Sequence, residues 1–192
     1  MKLPGNKTLF VLAVLAGALF IVGAALNSRY SKENVKTSSA APLTHHLHGQ
    51  IRVSEQINPQ DVATLRQQGI QTIIAMRPDG EVPGQPTAAA MEKEARKVGI
   101  KFSYVPVPHG EIPDATVKDL QNALANSEGP VLMYCRSGSR AARTWSLAEA
   151  SRPGGLDLTT ILAAVKSAGL KAEDLQALIE KRIAARDAGG KS

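Results

Sequence analysis

The chain has 192 residues, 43% of them hydrophobic and 21% charged, which suits one globular domain with a buried core and leaves length for further segments. Its single cysteine excludes an internal disulfide and any internal resolving thiol. The net charge of +6 is uneven: residues 1–49 carry five Lys or Arg against one Glu, so the excess flanks an N-terminal apolar segment and suits anionic headgroups better than a nucleic-acid groove.

Residues 1–8 form a basic leader, and Leu9 to Leu26 is an uncharged apolar run of 18 residues. That length is near the minimum for a membrane-spanning helix and exceeds the apolar region of a signal peptide. A retained single-pass anchor in contact with membrane lipid is therefore expected, although Gly23-Ala24-Ala25 offers a weak cleavage site. A single span behind a short basic leader predicts a domain on the non-cytoplasmic, periplasmic side. Residues 27–47 are polar, rich in Ser and Lys, and lack a hydrophobic period, which predicts a tether. His45, His46 and His48 lie at its end without further ligands at metal spacing, so a solvated loop is expected there and no metal.

The catalytic domain is expected over residues 48–154. Ile51 to Val53 reads as a short strand, and Asn58-Pro59 as the start of a helix that Gly69 closes. Gln71 to Met76 is a second strand, left by the turn-rich stretch Arg77 to Gly84. A helix over Thr87 to Val98, a strand over Lys101 to Val107 and a helix over Thr116 to Asn126 follow. Val131 to Tyr134, behind Gly129-Pro130, is a buried strand, and Arg140 to Ala150 is the next helix. This alternation predicts an α/β fold with a mainly parallel sheet flanked by helices. Helices over Leu158 to Ala168 and Ala172 to Ala185 form an expected C-terminal extension, residues 155–192.

In such sheets ligands bind outside the carboxyl ends of the strands. That edge collects Cys135, the turn Arg77 to Glu81, and the loop His109 to Asp114. Cys135 stands between a strand and the N-terminus of a helix, with Arg136, Arg140 and Arg143 close in sequence. Free backbone N–H groups, the helix dipole and the arginines all favour an anion there, which is the setting of a nucleophilic thiolate rather than a structural thiol.

Three motifs, Ile51 to Ile57, Met76 to Glu81 with Pro83 to Pro86, and Tyr134 to Arg140, together resemble the phosphatase-like domain of bacterial beta-lactamase-hydrolase-like proteins. The resemblance covers about residues 48–150, and Ile161 to Leu170 resembles the family's C-terminal extension. It implies a dual-specificity-phosphatase type of fold, in a family described both as phosphatase-like hydrolases and as sulfur transferases. Cysteine-dependent phosphatases place their arginine six positions after the nucleophile, where this chain has Ala141. Arg140 comes one residue earlier, and Cys135 to Arg140 (CRSGSR) is similar to the active loop of rhodanese-type sulfurtransferases.

The expected activity is therefore sulfur transfer without a cofactor, through a Cys135 persulfide, from a small anionic donor such as thiosulfate or a persulfide to an external thiol acceptor. Arg140 would orient the donor, and Arg136, Ser137, Gly138, Ser139 and Arg143 would line the loop. The alternatives are hydrolysis of phosphoesters through a Cys135 phosphocysteine, with Glu111 or Asp114 as acid, and a non-catalytic anion-binding module. Asp79 and Glu81 are candidates for supporting the loop, and Asp114 also reads as a helix cap. For the N-terminal segment, carbonate extraction should leave the protein with the membranes, and its mature mass should retain residues 1–26. Release of the protein, or loss of about those residues, identifies a cleaved signal instead.

Overall fold

The computed structural model describes residues 41–189. The expected leader, anchor and most of the tether lie outside the described residues. No helix among the described residues is long and apolar enough to cross a membrane.

Five strands form one sheet in the order β1-β2-β5-β3-β4. They are β1 (Thr44–His48), β2 (Ile51–Ser54), β3 (Thr72–Ala75), β4 (Lys101–Tyr104) and β5 (Val131–Tyr134). β2, β5, β3 and β4 run parallel, with Ser54 and Ala75 both level with Tyr134. β1 returns antiparallel along the edge of β2, with Thr44 opposite Ser54. The sheet is thus mixed. The tether expected to reach residue 47 ends before Thr44, and the histidine cluster is part of an edge strand rather than a loop. Pairing with β2 is what recruits it: Leu47 turns into the core, His45 and His46 face solvent, and the His48 ring tilts against Trp145 with centroids 6.0 Å apart.

The helices are α1 (Val62–Gln67, entered through a 3₁₀ turn at Pro59–Asp61), α2 (Ala88–Lys97), α3 (Asp114–Ala125), α4 (Ser139–Ser151), α5 (Leu158–Ser167) and α6 (Gln176–Gly189). Side chains alternate faces along a strand, and β5 shows what this does. Val131 and Met133 enter the core shared with α3, α4, α5 and α6, while Leu132 and Tyr134 enter the core under α1 and α2. By the same parity Cys135, one residue past the strand, belongs to the α4 side. The central strand is sealed on both faces, so its carboxyl end is a fixed point from which the next loop departs.

The C-terminal helices do not form a separate extension. Ile161, Val165 and Ile179 are fully buried in the same cluster as Trp145 and Cys135. Polar clamps add to this: Arg143 grips Asp174 with both guanidinium nitrogens at 2.5 and 2.7 Å, and Arg182 donates to Ser151 Oγ at 3.1 Å. Arg186 reaches the carbonyls of Glu149 and Leu156. A fragment ending at residue 154, the expected domain limit, should therefore lose cooperative unfolding and expose apolar surface to dye binding. Ile161→Ala in the full chain should cost about 2–5 kcal/mol in urea unfolding, as large-to-small changes in a sealed core do.

Candidate active site

The loop after β5 is shaped by one residue. Gly138 has φ +83°, a left-handed conformation that lets the chain turn from the strand into α4, and a Cβ there would lie 3.4 Å from the Ser54 carbonyl oxygen. With Gly138 as the residue preceding the helix, α4 starts at Ser139 and its free N–H groups face the loop. Cys135 lies buried at the base, 1% exposed, while Arg136 and Ser137 are exposed. The Arg136 carbonyl accepts a 3.4 Å bond from the Gln56 N–H, which ties the loop to the segment leaving β2.

Arg140, in the first turn of α4, is held by Glu81 in a two-point ion pair: Nη1 to Oε1 at 2.5 Å and Nη2 to Oε2 at 2.9 Å. Its Nη1 also donates to the Val107 carbonyl at 2.8 Å. Glu81 accepts a further bond from Arg77 Nε at 2.8 Å, and Arg77 Nη1 donates to Gln56 Oε1 at 3.2 Å. His109 Nε2 stands 3.5 Å from Glu81 Oε1. Arg77, Glu81 and Arg140 are 7, 12 and 14% exposed, so the cluster is largely shielded from water. The hydrogen bond from Arg140, helped by Arg77 and opposed by burial, brings the Glu81 carboxyl down to about 2. The Glu81 bond raises Arg140 in turn, and Cys135 contributes both as a negative neighbour and as a hydrogen-bond partner. The guanidinium is thus fixed in the first turn of α4, five residues after the buried Cys135, by Glu81 and the Val107 carbonyl.

Of the residues expected at the site, Cys135, Ser137, Gly138, Ser139, Arg140 and Glu81 converge. Others serve elsewhere. Asp79 Oδ1 accepts the Ala88 N–H at 2.8 Å and so caps α2, beside Thr87 Oγ1, which accepts the Ala90 N–H. Asp114 is the first residue of α3 rather than its cap, a position Pro113 takes, and it pairs with Arg182 on α6. Glu111 is exposed and lines a groove with Arg143, Lys181 and Arg182. Arg143 is committed to Asp174, whose carboxyl it holds below the ordinary range. Arg77 and His109 were expected at this edge without a role of their own, and Gln56 was not foreseen. An arginine immediately after a buried strand and four residues before its partner glutamate was the signal for Arg77; Gln56 comes from a distant segment and left no local mark.

The model of the beta-lactamase hydrolase-like protein, phosphatase-like domain, family matches residues 43–152. The chain belongs to this family. It is 36% identical over 103 residues to the Beta-lactamase hydrolase-like protein of Xylella fastidiosa, a match covering 54% of this chain and 24% of that protein. The chain thus spans about a quarter of the length of the curated relatives it matches. A provisionally described phosphatase from Neisseria meningitidis aligns at 28% identity and TM-score 0.63, over 72% of this chain and 96% of the other. The catalytic core of the PP-IP phosphatase from S. cerevisiae shares the fold, at 24% identity and TM-score 0.55 over 79 and 96% of the two chains.

These relatives overturn the sulfur-transfer expectation, because the family is phosphatase-like and its fold is that of protein-tyrosine-phosphatase-like structures. The spacing argument failed for a physical reason. A residue count does not say where the guanidinium lies, which Glu81 and the Val107 carbonyl set.

Removing the Glu81 charge should loosen the site measurably. Glu81→Gln leaves two shielded guanidinium groups facing each other, and the loss at pH 7 should be about 3–5 kcal/mol, the cost of breaking a buried pair from one side. The pH dependence has a definite sign. Because folding depresses this carboxyl, its contribution is complete above about 4.5 and is lost as pH falls through about 2. Urea unfolding of both proteins should converge across that window; a gap constant with pH contradicts the assignment.

Proposed function

We propose that this domain hydrolyses phosphate monoesters through a Cys135 phosphocysteine. The observation that carries the reading is the Arg140 guanidinium, fixed by Glu81 in the first turn of α4, the helix that follows the buried Cys135. A phosphoryl group on this loop would meet the backbone N–H groups after Cys135, the positive end of the helix and a fork of matching geometry. Little else is needed, since phosphoryl transfer depends mainly on positioning and on stabilising charge.

In the first step the sulfur bonds to phosphorus while the bond to the leaving oxygen breaks and its electron pair stays on that oxygen. In the second step water attacks the phosphocysteine, phosphate leaves, and the thiolate is restored. Arg140 serves both steps by neutralising the equatorial oxygens, and Arg77 supports it through Glu81. The membrane location proposed with this activity rests on the apolar run Leu9 to Leu26, which would hold the domain at a periplasmic membrane face.

Hydrolysis of an aryl phosphate should fall by about 10⁴-fold or more in Cys135→Ser, as when a covalent nucleophile is removed from other enzymes. Arg140→Lys should fall by about 10²–10³-fold, because an ammonium cannot bridge two oxygens and Glu81 at once. Rapid quenching should trap a phosphoryl adduct on Cys135, visible by intact mass. Turnover that persists in Cys135→Ser removes the proposal.

A further inference from the structure

We infer that His109 is the general acid that protonates the leaving oxygen, an assignment that rests on the phosphatase reading above. In-line displacement by the Cys135 sulfur sends the leaving group out on the opposite side of the phosphorus, toward the rim of the loop. His109 is 71% exposed, yet its Nε2 lies 3.5 Å from Glu81 Oε1, the same oxygen that receives Arg140 Nη1 at 2.5 Å. The backbone that carries it is latched to the site, because Arg140 Nη1 also holds the Val107 carbonyl two residues earlier. Gly110, at φ +91°, turns the chain immediately afterwards toward α3. The imidazole thus borders the carboxylate that holds Arg140 while remaining open to solvent.

Three nearby carboxylates are otherwise engaged, and a fourth faces a different groove. Glu81 is held ionised between two arginines and has no proton to give at neutral pH. Asp79 caps α2, and Asp114 is paired with Arg182. Glu111 lines the groove beside α6. In the first step the imidazolium would give its Nε2 proton to the leaving oxygen as the P–O bond breaks. The neutral ring would then take a proton from the water that attacks the phosphocysteine, which returns His109 to its starting state.

The test compares two monoesters with the full chain: 4-nitrophenyl phosphate, whose leaving group needs little protonation, and an alkyl phosphate such as a phosphoserine peptide. His109→Gln should lose about 100-fold or more on the alkyl ester and less than about 10-fold on the nitrophenyl ester, with unchanged thermal unfolding. Glu111→Gln, tested in parallel, should show no such leaving-group dependence. Equal losses on both esters, no loss on either, or the leaving-group dependence appearing in Glu111→Gln instead overturns the role of His109 while leaving the phosphatase reading intact. Failure of the unaltered protein to hydrolyse either ester overturns the phosphatase reading, and this assignment with it.

Discussion

The geometry of the site depends on one shielded carboxylate. Glu81 receives Arg140 on both of its oxygens and Arg77 on one, and these three residues come from α4 and from the turn after β3. Two guanidinium groups so close would repel each other if nothing lay between them. The carboxylate converts that repulsion into a rigid assembly with a net charge of one positive unit, aimed at the loop where an anion would bind. Gln56 extends the assembly to the segment after β2, whose backbone holds the Cys135 loop in turn. Side chains from three strand ends are thereby locked to one another before any substrate arrives, which is the preorganisation that electrostatic catalysis requires.

The sheet and its helices were largely legible because local chemistry and tertiary packing agree. Val131 to Tyr134 is apolar throughout because both faces of β5 are covered, and Thr87 and Gly138 sit where a helix start needs a hydroxyl and a left-handed turn. What was not legible depended on partners distant in the chain. Thr44 to His48 is polar on one face and carries three histidines, so nothing local announces a strand, and only the open edge of β2 recruits it. Likewise the helical periodicity of residues 158–185 shows an apolar face without showing what it covers. That face closes over Trp145 and the core beneath Cys135, so these helices support the domain instead of trailing it.

The site was legible to the same extent. Cys135, Gly138 and Arg140 stand out because strand, turn and helix follow one another within a few residues. Their chemistry did not, because a count of residues between a nucleophile and an arginine is only a proxy for where the guanidinium lies. Distance is set by where the helix begins and by what the fork is bound to. Here the first comes from the conformation of Gly138 within the motif and the second from outside it, from Glu81, fifty-nine positions earlier in the chain.

On the proposed phosphatase reading, the same ion pair also divides the labour of the reaction. A carboxylate that must stay ionised to hold two arginines cannot also lend a proton, and the stronger its grip the less suited it is to acid catalysis. Proton transfer then has to fall to a group that touches the assembly without being part of its charge balance. Such a group must regain its proton between turnovers, which favours an exposed position over a sealed one. The architecture meets both conditions by keeping Glu81 and its arginines shielded from water and by placing the more open loop after Val107 against their outer edge.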